Sequence, residues 1–219
     1  MISGVIFDVD GTLLDSMDMW EHAGERYLSG IGITAEENLE KKLFTLTMTE
    51  GAAYMKSTYG LDLSVEQIIA GINETISHFY QYEVQPKTGA IALMNELKNR
   101  KIPMTIATST DRCQIEAALK RLGILDYFIK INTCSDFGIG KNKPDIYLDC
   151  AKAMRSDVGS TWVFEDAYHA ARTAYNAGFR VVGIYDKSSA DHHQELKQNS
   201  HICFWQIPDY KTLTLADIR

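Results

Sequence analysis

Cysteine and proline are scarce in this sequence, with four of each among 219 residues. The cysteines form no Cys-x-x-Cys pair, so neither a disulfide scaffold nor a zinc site built on paired thiols is indicated. In a chain of this length they are typical of reduced thiols, and we expect them to be buried packing residues. No apolar run approaches the roughly 18 residues that a membrane-spanning helix needs, so no membrane partner is expected.

Basic residues are also in the minority, with 22 Lys and Arg against 29 Asp and Glu and a net charge of −7 at pH 7. An acidic chain without a basic stripe is a poor candidate for binding nucleic acid. No basic leader precedes Val5-Ile6-Phe7, so we expect a cytoplasmic protein. Apolar residues make up 45% of the chain, which favours a folded protein with a sizeable core. The acidic balance and the absence of heptad repeats are compatible with a monomer, which we expect.

Hydrophobic periodicity divides the chain into three stretches. Gly4-Val5-Ile6-Phe7 is a continuous apolar run, which is typical of a strand buried on both faces. Residues 17–82 show apolar positions at helical spacing. From about Val84 onward, helix and strand patterns alternate, and the last strand is expected at 202–205. This order predicts an α/β fold with a parallel sheet, formed by residues 1–16 and 83–219 and interrupted by an all-helical insertion over 17–82.

Within the insertion, a first helix is expected from Met17, and further helices are expected around residues 36–43, 50–59 and 64–80. Ser64 and Gln67 form the pattern of a capping box at the start of the last one. Because the insertion follows the first strand, it should lie above the carboxyl end of that strand, where open α/β sheets bind ligands.

Two carboxylates stand at that end, in the segment Asp8-Val9-Asp10-Gly11-Thr12. In an extended segment, residues two apart point to the same side, so Asp8 and Asp10 are expected to lie together. A simple Asp-Gly turn without a ligand explains the pattern equally well. A calcium loop of the EF-hand type does not fit, because Thr12 stands where its third ligand should be.

A second acidic pair, Glu165-Asp166, directly follows another apolar strand. The dipole of a helix N-terminus explains one acid at such a place but explains two less readily. If the two strands are parallel neighbours, four carboxylates meet at one edge of the sheet and cannot all stay ionised without a cation. An all-oxygen set of ligands favours Mg²⁺ over zinc.

Hydroxyl and lysine side chains complete the candidates. Thr108-Ser109-Thr110 ends a predicted strand before a helix, where hydroxyls and free N–H groups suit a phosphate, although plain capping by Thr110 or Asp111 is the simpler explanation. Lys141 and Lys143 lie in a loop that would otherwise be an ordinary solvated basic loop. The nearby glycines match neither a Walker A loop nor a dinucleotide-binding fingerprint.

Together these groups suit phosphoryl transfer. One Mg²⁺ and one lysine would reverse the repulsion between the carboxylates and a phosphate. Asp8 could then attack phosphorus, while Asp10 protonates the leaving oxygen and later takes a proton from water. Thr108 and Lys141 would hold the equatorial oxygens as charge spreads over them in the transition state.

Four segments resemble the ordered motifs of the haloacid dehalogenase-like phosphohydrolase superfamily: Asp8–Thr12, Thr108, Lys141 and Glu165-Asp166. Leu14-Asp15-Ser16 and the inserted helices resemble the branch with a small helical cap, which includes β-phosphoglucomutase and phosphoglycolate phosphatase. The resemblance covers nearly the whole chain. It implies a Rossmann-like, doubly wound catalytic core and a helical cap over residues 17–82. Because of the point at which the cap is inserted, we also expect it to open and close over the core and its residues to select the substrate.

The resemblance also implies a role for each matching residue. Asp8 would form a phosphoaspartyl intermediate and bind Mg²⁺, and Asp10 would be the acid and base and offer the metal its backbone carbonyl. The phosphoryl group would be bound by Thr108, Ser109 and Lys141, and the metal site would be completed by Glu165, directly or through water, and Asp166. The family's usual Gly-Lys-Pro-x-Pro-Asp has Asn142 at its first proline here, so Lys143 stays an alternative to Lys141.

The predicted function is a Mg²⁺-dependent phosphatase that hydrolyses a small phosphorylated metabolite through a phosphoaspartyl intermediate on Asp8. A β-phosphoglucomutase-type phosphotransferase is the nearest alternative, but residues 44–50 contain no arginine to hold a second phosphate. A non-catalytic, phosphate-sensing module phosphorylated on Asp8 is the other alternative. Against it stands the inserted helical domain, since the natural use of a cap is to exclude water.

Overall fold

The structure, a computed structural model, describes residues 2–203 and 205–213. It consists of two compact units: residues 1–16 together with 84–219 form the α/β unit, and residues 17–83 form the helical unit. The chain therefore leaves the α/β unit after its first strand and returns to it after a single insertion.

One parallel sheet of six strands forms the centre of the α/β unit. The strands are β1 (Gly4–Phe7), β2 (Met104–Thr108), β3 (Phe128–Thr133), β4 (Thr161–Glu165), β5 (Arg180–Ile184) and β6 (Trp205–Ile207). They pair in parallel in the spatial order β3-β2-β1-β4-β5-β6. This is the order of a doubly wound, Rossmann-like sheet, whose direction of winding reverses beside β1. The predicted fold class is confirmed.

The helical unit contains four helices. They are α1 (Met17–Gly30), α2 (Leu39–Phe44), α3 (Met48–Tyr59) and α4 (Val65–Tyr82). The predicted capping box is present on α4, because the Ser64 side chain accepts from the N–H of Gln67 and the Gln67 side chain accepts from the N–H of Ser64. Helix α2 begins later than expected, since Asn38 takes a left-handed conformation with φ 59° and cannot be part of it.

In the part of the α/β unit that the structure describes, six α-helices flank the sheet. They are α5 (Ala90–Asn99), α6 (Arg112–Arg121), α7 (Cys134–Phe137), α8 (Asp145–Met154), α9 (Tyr168–Asn176) and α10 (Ala190–Gln198). Ile6 and Val163 belong to an apolar cluster with residues of α8 and α9. The next residues along the strands, Phe7 and Phe164, stack on each other with ring centroids 4.9 Å apart. Successive side chains of a strand point to opposite faces, so the sheet is covered with apolar side chains on both.

None of the helices within 2–203 and 205–213 has the length and apolar character that a membrane span requires. The two connections between the units run side by side in the α/β unit. The N–H of Asp15 donates to the carbonyl of Gln85 at 2.9 Å, and the N–H of Lys87 donates to the carbonyl of Leu13 at 2.9 Å. These bonds hold the segment that follows β1 in place.

The last strand lies later than the sequence predicted. It spans Trp205–Ile207 instead of 202–205, and Phe204 lies outside the described residues. Ile202 is buried, but it belongs to a turn in which its N–H donates to the carbonyl of Asn199. A short apolar run does not distinguish a buried turn from a strand, so the predicted position was wrong.

The cysteines divide by burial. Cys150 and Cys203 are buried, Cys134 is partly buried and Cys113 is exposed. The expectation of buried packing residues was wrong for Cys113, because it stands outside the buried stripe of α6, which is formed by Ile115, Ala118 and Leu119.

Candidate active site

The candidate site lies at the carboxyl ends of β1, β2 and β4. The strand register pairs Phe7 with Ile106 on one side and with Phe164 on the other. The N–H of Asp8 donates to the carbonyl of Phe164 at 3.0 Å, so Asp8 continues the strand by one residue. Glu165 is the last residue of β4. The neighbouring strands therefore bring these two carboxylates together, at the place where the sheet changes its direction of winding.

A tight turn follows Asp10. Gly11 has φ 76°, a left-handed conformation that glycine adopts at little cost. The N–H groups of Leu13 and Leu14 then both donate to the carbonyl of Val9 at 2.8 Å. The Asp-Gly turn and the buried carboxylate of Asp8 thus occur in the same segment, although the sequence offered a turn and a site as alternatives.

Lys141 lies between two of the buried carboxylates. Its Nζ donates to Oδ1 of Asp8 and, at 2.9 Å, to Oε2 of Glu165. The side chain of Lys141 is only 6% exposed, whereas Lys143 is exposed. The structure therefore places Lys141 in the cluster and Lys143 outside it.

Asp166 supplies a third buried carboxylate. One oxygen from each of Asp8, Glu165 and Asp166 lies within 4.8 Å of the others. The hydroxyl of Thr12 donates to Oδ1 of Asp166 at 3.4 Å. Three ionised carboxylates and one ammonium group leave a net charge of −2, which is costly in a buried site. An oxygen-only set with this excess of negative charge fits a hard divalent cation such as Mg²⁺.

The pKa values of the clustered groups reflect this excess of buried negative charge. Burial, assisted by repulsion from Asp166 and Asp10 and opposed by Lys141, raises the pKa of Asp8 to about 6. Burial and then the charge of Asp8 raise the pKa of Glu165 to about 8. Burial also raises the pKa of Asp166. Burial opposes the charge of Lys141, but Asp8 and Glu165 hold its pKa well above the usual value. The lysine stays charged while the carboxylates favour a proton or a cation.

Asp10 does not belong to the three-oxygen set, so three of the four carboxylates expected to meet do so, and each oxygen of Asp10 accepts from a hydroxyl group instead. Ser16 Oγ donates to Oδ1 of Asp10 at 2.6 Å, and Thr110 Oγ1 donates to Oδ2 at 2.6 Å. The sequence favoured Thr110 or Asp111 as a plain cap of α6. Asp111 is the N-cap residue but makes no side-chain capping bond, and the Thr110 hydroxyl turns to Asp10 instead.

Thr108 and Ser109 occupy different environments. Thr108 is fully buried at the end of β2, and its Oγ1 accepts from the N–H of Thr110 at 3.1 Å. Ser109 is exposed, and its hydroxyl lies 3.4 Å from Sγ of Cys134. The structure therefore brings Thr108 to the edge of the sheet that carries the carboxylates, but it turns the Ser109 hydroxyl toward a cysteine.

Tyr147 was missed by the sequence analysis. It is fully buried on α8, and its hydroxyl donates to Oε2 of Glu165 at 3.2 Å. Burial, followed by the charge of Glu165, raises the pKa of Tyr147 well above its usual value, so the hydroxyl remains a donor. No sequence signal marks this residue, because in a helix with an apolar face a tyrosine is indistinguishable from a packing residue.

A second set of possible ligands, His22, Glu25 and Glu40, lies in the helical unit and is partly exposed. His22 interrupts the helical conformation of α1. Its Nδ1 lies 3.2 Å from Oε2 of Glu25 and its Nε2 lies 3.7 Å from Oδ1 of Asp18. Partly exposed acidic groups near a histidine are common on protein surfaces without a bound ion, so this set is not assigned a function.

Comparison with known proteins extends these observations. A family model described as haloacid dehalogenase-like hydrolase matches residues 5–184. A phosphorylated carbohydrates phosphatase from Thermotoga maritima is 24% identical over 184 residues, which is 84% of this chain and 85% of the relative. A validoxylamine A 7'-phosphate phosphatase from Streptomyces hygroscopicus subsp. limoneus is 25% identical over 191 residues, which is 87% of this chain and 89% of the relative.

Among solved structures, a Thermotoga maritima protein named as a candidate β-phosphoglucomutase superposes with a TM-score of 0.82 at 21% identity. The match covers 98% of this chain and 98% of that protein. At this level of identity the likeness concerns the fold, including the α/β sheet with its helical insertion.

Proposed function

We propose that this chain, which belongs to the haloacid dehalogenase-like hydrolase family, is a Mg²⁺-dependent phosphatase that acts on a small phosphorylated metabolite. The predicted family and the predicted enzyme class, a phosphoric monoester hydrolase, are confirmed by the family match and by the curated phosphatases related to the chain. The observation that carries the finer proposal is the buried cluster of Asp8, Glu165, Asp166 and Lys141 at the edge of the sheet.

The substrate class follows from the relatives. One acts, by its name, on phosphorylated carbohydrates and another on validoxylamine A 7'-phosphate. We therefore propose a phosphorylated sugar or a related polyhydroxylated compound as substrate. The helical unit is proposed to act as the cap that selects it.

Asp8, Glu165 and Asp166 are the side chains proposed to hold Mg²⁺, with the backbone carbonyl of Asp10. The ion would neutralise negative charge on the cluster and on the phosphoryl oxygens. Without such a cation, three neighbouring carboxylates would repel a phosphate dianion. The excess of buried negative charge therefore attracts the cation, and the cation in turn allows the phosphoryl group of the substrate to bind.

The first chemical step is proposed for Asp8 and Asp10. A carboxylate oxygen of Asp8 forms a bond to phosphorus while the bond from phosphorus to the leaving oxygen breaks. Asp10 gives its proton to that leaving oxygen. Lys141 and the Thr108 hydroxyl hold the phosphoryl oxygens, on which charge builds up in the transition state.

The second step returns the enzyme to its starting state. Asp10, now ionised, takes a proton from a water molecule whose oxygen attacks the same phosphorus. The bond between phosphorus and Asp8 breaks, and orthophosphate leaves. Ser16 and Thr110 orient Asp10 for both proton transfers, because each hydroxyl donates to one of its two oxygens.

Hydrolysis of para-nitrophenyl phosphate, followed by a panel of sugar monophosphates, tests the proposal. We expect phosphate release that EDTA abolishes and Mg²⁺ restores. Asp8→Asn should lose at least a thousandfold in turnover, whereas the exposed control Asp126→Asn should keep wild-type activity. Turnover that survives in Asp8→Asn, or that is indifferent to EDTA, would contradict the assignment.

The same assays separate the alternatives. Interconversion of glucose 1-phosphate and glucose 6-phosphate would identify a mutase. A phosphoaspartate that persists for many minutes without hydrolysis would identify a phosphate-sensing module. The proposed phosphatase gives neither result.

A further inference from the structure

The carboxylate of Glu165 is surrounded by donors. Its Oε2 accepts from Nζ of Lys141 at 2.9 Å and from the hydroxyl of Tyr147 at 3.2 Å. Its Oε1 lies 3.3 Å from the N–H of Ala167, which donates to it. Glu165 is 1% exposed, so water has little access to its oxygens. A buried carboxylate depends on such donors, and each of them constrains the direction in which it points.

Tyr147 has two separable parts. Its ring packs in the apolar cluster beneath α8, with the ring of Phe179 at 6.2 Å. Phenylalanine would fill that space equally well. A buried tyrosine hydroxyl requires a partner, and here the partner is Oε2 of Glu165. The hydroxyl can therefore be removed without disturbing the packing of the ring.

Lys141 connects this pair to the proposed nucleophile. Its ammonium group is shared between Glu165 and Asp8. If Glu165 lost the Tyr147 hydroxyl, its Oε2 would keep only the mobile ammonium group of Lys141 as a donor, while Oε1 would keep the N–H of Ala167. The direction of Oε2, and with it the position of the ammonium group beside Asp8, would then be less narrowly fixed.

We propose that Tyr147 is a positioning residue: its hydroxyl holds Oε2 of Glu165 against Lys141 and thereby fixes the ammonium group beside Asp8. The inference rests on the proposed function, in which Lys141 binds the phosphoryl group. Tyr147 touches neither Asp8 nor Lys141 through a hydrogen bond of its own that the structure describes, so it acts through Glu165.

Tyr147→Phe is the first test. We expect the dissociation constant of orthophosphate, measured by calorimetry in the presence of Mg²⁺, to rise about tenfold, and kcat/KM for para-nitrophenyl phosphate to fall by a similar factor. The matched control is Tyr127→Phe. It also removes a tyrosine hydroxyl with a side-chain acceptor, since the Tyr127 hydroxyl donates to Oδ1 of Asn95 at 2.7 Å, and it should change phosphate affinity less than twofold.

A double-mutant cycle tests the route through Glu165. Glu165→Met keeps most of the side-chain volume and removes both acceptors, and a saturating concentration of Mg²⁺ compensates for the loss of one of the three proposed side-chain ligands. In that background, Tyr147→Phe should have no further effect on phosphate affinity beyond twofold, because there is no carboxylate left to position. The same loss in both backgrounds would show that the hydroxyl acts by a route other than Glu165 and would overturn the proposal.

A crystal structure of Tyr147→Phe gives a readout that does not depend on activity. We expect the Glu165 carboxylate to leave the position in which Oε2 lies 2.9 Å from Lys141. Unchanged positions of both groups, or equal loss of phosphate affinity in Tyr127→Phe, refute the inference. A wild-type protein that binds no orthophosphate and hydrolyses no monoester refutes the proposed function, while the crystal structure still decides the positioning role.

Discussion

Replacing Asp8 by asparagine should stabilise the folded protein at pH 8 although it abolishes the proposed activity. Asp8 is buried, and the pKa of its carboxyl group is raised from 3.8 to about 6. The folded state therefore prefers Asp8 in its neutral form. Asparagine supplies a neutral side chain of nearly the same shape at every pH.

The magnitude follows from the shift of roughly two pKa units, at about 1.36 kcal/mol per unit. Above pH 6 the ionised Asp8 costs the folded state about 3 kcal/mol relative to the unfolded chain. The sign is that of a raised pKa: the stabilising effect of protonation is fully present below about pH 4 and is lost as the pH rises through 6. This value already includes the attraction of Lys141, so about 3 kcal/mol is the upper value expected for the gain in Asp8→Asn.

Urea unfolding in EDTA at pH 8 and at pH 5 measures the effect. At pH 8 Asp8→Asn should have the higher free energy of unfolding, and at pH 5 the difference should shrink, because Asp8 itself becomes protonated. Addition of Mg²⁺ at pH 8 should stabilise the wild type more than the variant, since the variant lacks one ligand.

The control is the same Asp-to-Asn change at a carboxylate whose pKa is lowered instead of raised. The pKa of Asp136 is lowered, first by the backbone N–H of Thr133 and also by Arg112. Asp136→Asn should therefore destabilise the fold at pH 8. If Asp8→Asn proves less stable than the wild type in EDTA at pH 8, or if its advantage is the same at pH 5, the argument from burial is refuted.

Two further predictions concern side chains whose environments differ sharply. Lys141→Met should abolish hydrolysis and lower the free energy of unfolding by about 3 kcal/mol, because it leaves buried carboxylates uncompensated. Lys143→Met, at an exposed position, should change neither quantity. Equal effects of the two variants in activity and urea-unfolding assays would contradict this prediction. Iodoacetamide should alkylate exposed Cys113 in the native protein but spare Cys150 and Cys203, whose burial raises their pKa values to about 11 and about 12, as peptide mass spectrometry can verify.

The sequence was sufficient to predict features that depend only on neighbouring residues. Asp8 and Glu165 could be found because Asp8 directly follows an apolar run and Glu165 ends one, and parallel strands end at one edge. The capping box of Ser64 and Gln67 could be found because its two hydrogen bonds span three residues. Patterns that span only a few residues can be recognised directly in the sequence.

Contacts between distant segments gave no such pattern. The hydroxyl of Thr110 reaches Asp10 across 100 positions, and the hydroxyl of Tyr147 reaches Glu165 across 18. In both cases the sequence offered a local explanation, capping for Thr110 and helix packing for Tyr147. Which partner a hydroxyl meets depends on the strand order and on the rotation of a helix against the sheet.

The sequence by itself determined that this chain forms a parallel α/β sheet with a helical insertion, and that its carboxylates stand at the strand ends. Hydrophobic periodicity and turn chemistry act over a few residues, so they can be recognised without knowledge of the tertiary structure. The sequence favoured Lys141 but kept Lys143 as an alternative, and tertiary structure decided that Lys141 lies among those carboxylates, since the burial of one loop lysine depends on how the loop packs against the sheet. It also decided how strongly the pKa values of Asp8 and Glu165 are raised, because desolvation is a property of the surrounding atoms and not of the residue type.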